Sequence, residues 1–217
     1  MDQTITALKV QKRNPNRVNI YLDGEFAFGL SRWVAASLKV GQLLSKAKIA
    51  DLQRQDTIEV AYFRALRYLS YRPRSIAEVE KRLVEAGFST EVIAQVMERL
   101  TDRGYVNDRD FARQWVENRS TFRPRAHRAL ALELRQKGVD GEAIQQALQE
   151  AADEGDLARD AARKYARRLE REDREGFRQR LGGFLARRGF SFAVSAEVIR
   201  ELWQELEGLQ GRNEKME

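Results

Sequence analysis

The segment Val79-Glu80-Lys81-Arg82-Leu83-Val84-Glu85-Ala86-Gly87-Phe88-Ser89 decides the fold, because its pattern returns twice along the chain at a fixed spacing. Gly87, Gly138 and Gly189 follow one another at 51-residue intervals, and their surroundings align without a gap. Eight residues before each glycine stand Val79, Leu130 and Leu181; four before, Leu83, Leu134 and Leu185; one after, Phe88, Val139 and Phe190; ten after, Met97, Leu148 and Ile199. Apolar residues at steps of four lie on one helical face. The glycine therefore reads as the left-handed residue that closes a helix, and Ser89, Asp140 and Ser191 as N-caps of the next.

A further helix precedes each pair, marked by Ala61/Ala65/Leu66/Leu69, by Phe111/Trp115/Val116 and by Leu157/Ala161/Ala162/Tyr165/Leu169. Each unit is then a three-helix bundle of about fifty residues, near the smallest size that folds alone. The expected fold is mainly α: three tandem three-helix repeats in an elongated array, after a small N-terminal antiparallel β-sheet module with short helices. The boundaries fall at 1–56 for the β-hairpin module with two short helices, 57–108, 109–152 and 153–207 for the repeats, and 208–217 for a disordered tail. In the module, Val18, Ile20 and Leu22 alternate with polar residues, Asp23-Gly24 is a hairpin turn, and Phe26, Phe28 and Leu30 alternate beyond it. Ile5 to Val10, ended by Asn14-Pro15-Asn16, supplies a third strand, and Ser31 and Ser45 cap a short helix through about Leu38 and another carrying Ile49 and Leu52. The third repeat departs from the others: Gly182-Gly183 lie inside its second helix, where a bend or a close helix approach is expected, and its first helix is the most basic.

With 217 residues, 42% of them hydrophobic, and no apolar run approaching a membrane span, the chain reads as a soluble, cytoplasmic protein without a signal peptide. The absence of cysteine removes disulfides, thiolate nucleophiles and sulfur-based zinc sites. The net charge of +6 favours an anionic partner. That charge is uneven: residues 159–188 hold eleven Arg or Lys against five acidic residues, and residues 1–56 hold nine against five. The stretch 57–158 is nearly neutral.

Arg72-Pro73-Arg74 and Arg123-Pro124-Arg125 recur at the repeat spacing. Proline there starts a helix well, and the flanking arginines, near a positive helix N-terminus, suit phosphate or carboxylate groups. Arg163, Lys164, Arg167, Arg168, Arg171 and Arg174 recur at steps of three and four, striping one face of a helix. A solvated charged face is the ordinary reading of such a run; coincidence with the main charge excess favours polyanion contact. Trp33, Trp115, Trp203, Tyr62, Phe63, Tyr68, Phe111 and Phe177 offer stacking faces, but their helical spacing points to core packing. The single histidine, His127, has no cysteine or patterned carboxylate around it and reads as a surface residue. No Walker loop, GxGxxG or HExxH occurs, so no catalytic residue, metal site or cofactor is assigned and the chain is not expected to be an enzyme.

The run Ala65-Leu66-Arg67-Tyr68-Leu69-Ser70-Tyr71-Arg72-Pro73-Arg74-Ser75, with Glu78 to Leu83 and Gly104-Tyr105-Val106-Asn107-Asp108 before Phe111-Ala112, resembles the bacterial RecX regulatory family. The opening Tyr21-Leu22-Asp23-Gly24-Glu25-Phe26-Ala27-Phe28 is similar to the N-terminal extension of its longer members. The resemblance covers about residues 1–206 and is most specific in the first repeat. It implies a monomeric, non-catalytic modulator, mostly an inhibitor, of the RecA recombinase, lying in the groove of the RecA–single-stranded DNA filament and acting on DNA repair, homologous recombination and the SOS response. Duplex DNA is the weaker expected ligand. On that footing the filament-binding candidates are Arg67, Arg72, Arg74, Lys81, Arg82, Arg123, Arg125 and Arg128, and the DNA-binding candidates are Arg163, Lys164, Arg167, Arg168, Arg171 and Arg174. The asymmetry of charge suggests protein contact in the first two repeats and polyanion contact in the third. The competing expectation is a DNA-binding helical protein acting alone, as in transcriptional control, since three-helix units can resemble helix-turn-helix modules.

Overall fold

The structure, a computed structural model, describes residues 2–213. It divides into two compact units: the chain up to Val106 without Ser75–Ala77, and Ser75–Ala77 together with the chain from Asn107 onward.

The first unit opens with strands β1 (Gln3–Val10), β2 (Arg17–Leu22) and β3 (Glu25–Ser31), joined by β4 (Leu43–Leu44) in the antiparallel order β3-β2-β1-β4. The hairpin forms where expected, with Asp23 at φ 52° and Gly24 at φ 93°, the two left-handed residues a tight two-residue turn requires. The sheet has four strands where three were expected, because a two-residue strand is too short for alternation to register. Ile5, Ile20, Leu30 and Leu44 are fully buried on its inner face. Phe26 instead stands 58% exposed. The register slips between Ile20 and Tyr21, so Phe28 pairs with inward Ile20 while Phe26 pairs with outward Tyr21, and a bulge separates two residues that strict alternation would place together.

Helix α1 (Arg32–Ala35) is a single turn capped by Ser31, shorter than the expected helix through Leu38. Helix α2 (Lys46–Leu69) is capped by Ser45 and runs 24 residues without a break, so the expected boundary at 56/57 falls inside it. No glycine or proline interrupts residues 46–69. Two buried carboxylates on α2 show why one helix serves both neighbours. Asp56 accepts from the Arg17 guanidinium at 3.0 Å and from the Ser31 backbone N–H, tying α2 to the sheet. Glu59, one turn on, accepts from Arg99, whose guanidinium also lies 3.8 Å from the centre of the Tyr62 ring. Arg99 belongs to α4 (Thr90–Asp102), which with α3 (Ile76–Glu85) completes the first repeat around Ala61, Val79, Leu83, Val96 and Leu100.

The second unit contains α5 (Asp108–Phe122), α6 (His127–Gln136) and α7 (Gly141–Gln149), then α8 (Glu154–Ala166), a 3-10 turn (Arg167–Leu169), α9 (Arg174–Arg187) and α10 (Phe192–Asn213). Helix α10 runs past the 207/208 boundary, so residues 208–213 of the expected disordered tail are helical; residues 214–217 lie outside the described residues. Helix α9 continues through Gly182-Gly183.

All three repeat glycines are left-handed, at φ 83°, 78° and 92° for Gly87, Gly138 and Gly189. Each closes its helix with the same pair of hydrogen bonds. Phe88, Val139 and Phe190 donate to the carbonyls of Leu83, Leu134 and Leu185, and the glycine N–H reaches back to Val84, Arg135 and Ala186. This is the Schellman geometry, with an apolar residue on each side of the reversal. The starts of α3 and α6 share a second device at the repeat spacing. Ser75 Oγ donates to the Lys137 carbonyl at 2.6 Å, and the Ala126 N–H donates to the Arg188 carbonyl at 3.2 Å. Ile76 N–H is then satisfied by Asp108 of α5, and His127 N–H by Glu154 of α8. Carboxylates at helix N-termini take orphan donors and oppose the dipole. The His127 ring is engaged too, with Nε2 3.0 Å from the Ala152 carbonyl oxygen, so this residue belongs to a junction and is not free surface.

Two predictions follow from these contacts. A Cβ on Gly87 would meet nothing within 4 Å, whereas on Gly138 it would fall 2.4 Å from Ala77 Cβ and on Gly189 2.9 Å from Ala129 Cβ. Gly87→Ala should therefore cost about 1 kcal/mol for the left-handed backbone alone, and Gly138→Ala and Gly189→Ala about 2–4 kcal/mol, read from urea midpoints. Asp56→Ala, which strips the partner from Arg17 and the Ser31 N–H, should cost on the order of 2–3 kcal/mol in the same measurement.

Candidate nucleic-acid interface

The basic residues singled out in the first unit are largely occupied by the protein itself. Arg72 forks onto Glu78, its two terminal nitrogens donating at 3.2 and 2.8 Å, and this pairing raises its pKa above the ordinary arginine value. Arg74 sits over the Tyr68 ring at 4.0 Å, its Nε buried without a hydrogen-bond partner, with Arg82 at 5.9 Å from the same ring and 3.5 Å from Glu85. Arg67 and Lys81 are exposed and make no ion pair among the described residues. Pro73 and Pro124 do not start helices as expected: α3 begins at Ile76 and α6 at His127, three residues on, so each proline belongs to the extended entry, and Arg72 and Arg74 brace that entry in the first repeat.

In the second unit the end of α5, α8 and α9 enclose a cleft of about 740 Å³. Its lining includes Phe122 and Pro124, then Asp160, Lys164, Tyr165 and Arg168, and Phe184 and Arg188. Tyr165 and Phe184 stack almost parallel, centroids 4.5 Å apart at 8°, and the Arg188 guanidinium extends the column 4.6 Å from the Phe184 ring. Arg188 donates to the Pro124 carbonyl at 2.9 Å. Ser120 Oγ, also in the lining, is buried with no hydrogen-bond partner.

Asp160 is the one carboxylate in the lining, against Lys164, Arg168 and Arg188, and the nearest cation it meets is Arg163 at 3.9 Å, outside the cleft. Burial holds the Arg188 pKa below the ordinary arginine value, and the charges of Arg125 and Arg123 lower it further. Arg125 is partly compensated by Glu133 at 2.9 Å, the same carboxylate that accepts from Trp115 and Arg119. Among the described residues no carboxylate pairs with Arg123, Arg128 or Arg188. Three guanidinium groups near one another are unfavourable in isolation, and an anion in the cleft would relieve the repulsion.

The expected stripe is broken. Helix α8 ends at Ala166, so Arg163, Lys164, Arg167, Arg168, Arg171 and Arg174 are spread over a helix end, a 3-10 turn, a loop and the start of α9. The break has a cause in the sequence: Leu169 is buried against the repeat core, and Asp173 starts a new helix by capping the Gly176 N–H at 2.7 Å. All six cations are exposed, but only Lys164 and Arg168 line this cleft. Arg163 stands 3.9 Å from Asp160. Arg123 and Arg125 of the second repeat lie close enough to Arg188 of the third for their charges to lower its pKa.

Arg188, Ser120 and the Tyr165–Phe184 stack were not singled out from the sequence. Arg188 did carry a signal: it occupies the position of Lys137, 51 residues earlier, and Lys137 likewise sits over an aromatic ring, that of Trp115 at 4.4 Å. Core packing holds for Tyr62, Phe111 and Phe177, but Trp33 and Phe63 are 74% and 57% exposed. Among the described residues no group of three or more His, Cys, Asp or Glu side chains could hold a metal ion, and no helix is long and apolar enough to cross a membrane.

Comparison with known proteins matches every module in order. The regulatory protein RecX N-terminal domain covers residues 3–45, and the first, second and third RecX three-helix domains cover 61–100, 107–148 and 152–199. Regulatory protein RecX of Bacillus pumilus is 34% identical over 203 residues, 92% of this chain and 77% of that protein. The Mycobacterium sp. (strain KMS) protein of the same name is 41% identical over 148 residues, 65% of this chain and 80% of that protein. For the Bacillus subtilis relative, 39% identical over 145 residues, the match spans 66% of this chain and 55% of the relative. A crystal structure of regulatory protein RecX superposes with TM-score 0.74 at 28% identity, covering 92% of this chain and 99% of that one. RecX from Lactobacillus salivarius gives 0.61 at 27% identity over 68% of this chain and 97% of its own. With its N-terminal module and all three helical repeats matched in sequence order, the chain belongs to the RecX family of regulatory proteins.

Proposed function

We propose that this protein binds the RecA–single-stranded DNA filament and restrains it, mostly by inhibiting recombinase activity and with it recombination and the SOS response. One observation supports a nucleic-acid contact above the others: Lys164, Arg168 and Arg188 line a single cleft against one carboxylate, Asp160, and Arg188, close to Arg123 and Arg125, has no ion pair among the described residues. A phosphate supplies the missing charge, and the aromatic column beside it suits a single strand whose bases are free to stack. The exposed Arg67, Lys81 and Arg128 remain for contact with the acidic surface of a protein partner. Arg163, Arg167 and Arg171 add long-range attraction without lining the cleft.

The decisive measurement is RecA-driven strand exchange and single-stranded-DNA-dependent ATP hydrolysis with increasing amounts of the protein. Inhibition of both is expected; no change in either, with no binding to the filament, would sink the proposal. Tight, sequence-specific duplex binding without RecA would favour a stand-alone DNA-binding regulator instead.

Residue roles are separable by salt. Replacing Lys164, Arg168 and Arg188 together by Ala should flatten the dependence of log affinity for single-stranded DNA on log salt by about 2, at roughly 0.7 per phosphate contact. Replacing Arg163, Arg167 and Arg171 should change the slope by less. Equal changes in the two triple variants would show that the cleft has no special part in binding.

A further inference from the structure

The seam between α9 and α10 is built differently from the corresponding seams in the other repeats. Ser195 occupies the position held by Ile93 in the first repeat and Ile144 in the second, at the 51-residue spacing. Both isoleucines are buried core residues. Gly182 and Gly183 likewise stand where the second repeat has Ala131 and Leu132. The buried isoleucine of both other repeats is thus reduced to a hydroxymethyl group and the buried Ala131 methyl of the second to a hydrogen, whereas Leu132, the counterpart of Gly183, is 55% exposed. The result is a groove of about 740 Å³, walled by Phe177, Phe190, Ile199 and Trp203.

The lining carries two polar groups without partners. Ser195 Oγ, on a residue only 6% exposed, and Trp203 Nε1 are both buried and make no hydrogen bond. An indole N–H can only donate, and the serine hydroxyl can donate as well, so the groove calls for an occupant with acceptors. Phe192 at the rim is 89% exposed, the most solvent-accessible of the large apolar side chains described. Three arginines and two glutamates line the groove; Arg178 is held by Glu175 at 2.8 Å, and with Glu207 at the far end of the lining the balance of Arg174 and Arg200, which have no ion pair among the described residues, stays positive. The lining runs from Arg174 to Ala186 on α9 and from Phe192 to Glu207 on α10, about 18 and 22 Å at 1.5 Å per residue. That length is three to four helical turns and exceeds what a compact metabolite fills.

We propose that this groove receives an amphipathic helical segment of a protein partner, with apolar residues at i, i+3 or i+4 and i+7 and with Asp or Glu beside them. The apolar face of the segment takes the place of the missing isoleucine side chain and covers Phe192. Its carboxylates meet Arg174 and Arg200, and acceptors on its inner face meet Trp203 Nε1 and Ser195 Oγ. The proposal goes beyond the nucleic-acid reading and uses different residues from the cleft.

The test is selection of a display library of fourteen-residue peptides on the full chain, with counter-selection on Ser195→Ile. That variant restores the residue of the other two repeats and is expected to fold, which its thermal midpoint checks; Gly183→Leu, restoring the residue of the second repeat, is the second filling variant. Enriched peptides should show the apolar spacing with acidic flanks and bind the wild type at least 10-fold more tightly than either filling variant. They should weaken several-fold on Arg174→Ala with Arg200→Ala. Single-stranded DNA affinity should be unchanged in Ser195→Ile, so failure here and failure of the cleft are distinguishable. Overturning results are the absence of any peptide sensitive to the filling variants, enrichment of basic or uncharged peptides, or self-association of the wild type that Ser195→Ile abolishes, which would make a second copy of the chain the occupant.

Discussion

A helix that must reverse within three residues and start another needs one left-handed residue with no side chain, and each repeat places a glycine there. At Gly87 that constraint is purely one of backbone, since a Cβ would have open space around it. At Gly138 and Gly189 the same atom would collide with Ala77 and Ala129, so conformation and packing impose the glycine together. The residues just before these glycines, Lys137 and Arg188, lend their carbonyls to Ser75 and Ala126, which stand immediately before α3 and α6. One reversal thus closes its own helix and helps to position the start of another.

That geometry also explains the cleft. Arg188 is delivered by the residue position preceding Gly189, and its guanidinium is held by the Pro124 carbonyl and the Phe184 ring. Arg123 and Arg125 flank the same proline and are brought near it by the start of α6. A helix start, a helix end and a 3-10 turn therefore contribute cations to one place. None of these elements is unusual alone; their convergence without a compensating carboxylate at Arg188 distinguishes the site from the ion-paired surfaces elsewhere, such as Arg72 with Glu78 or Arg159 with Asp156 and Glu201.

Most of the secondary structure was legible because it depends on near neighbours. The glycine spacing, the Asp23-Gly24 turn and the Ser89 and Asp140 caps are local instructions, and the structure follows each of them. The misreadings share a different cause. Phe26 turned outward because a bulge shifted the register beside Tyr21, β4 formed because Leu43 and Leu44 found an unpaired edge of β1, and α2 ran on because nothing in residues 46–69 stops it. The spacing of the basic stripe fits 3.6 residues per turn and so predicts one helical face. Burial of Leu169 and capping by Asp173 outweighed that spacing.

The amino-acid sequence by itself determined the repeat, its helical period and the excess of positive charge, since these follow from residue types a few positions apart or at a constant offset. Only the tertiary structure decided which cations share a site. Arg123 and Arg188 are 65 residues apart, and their mutual repulsion exists only after α6, α8 and α9 have packed. The hollow beside Ser195 is of the same kind: the substitution is visible at the repeat spacing, but a missing side chain becomes a groove only where the surrounding helices cannot close over it. Local preferences act through the backbone, whereas charge crowding and voids are properties of packed side chains.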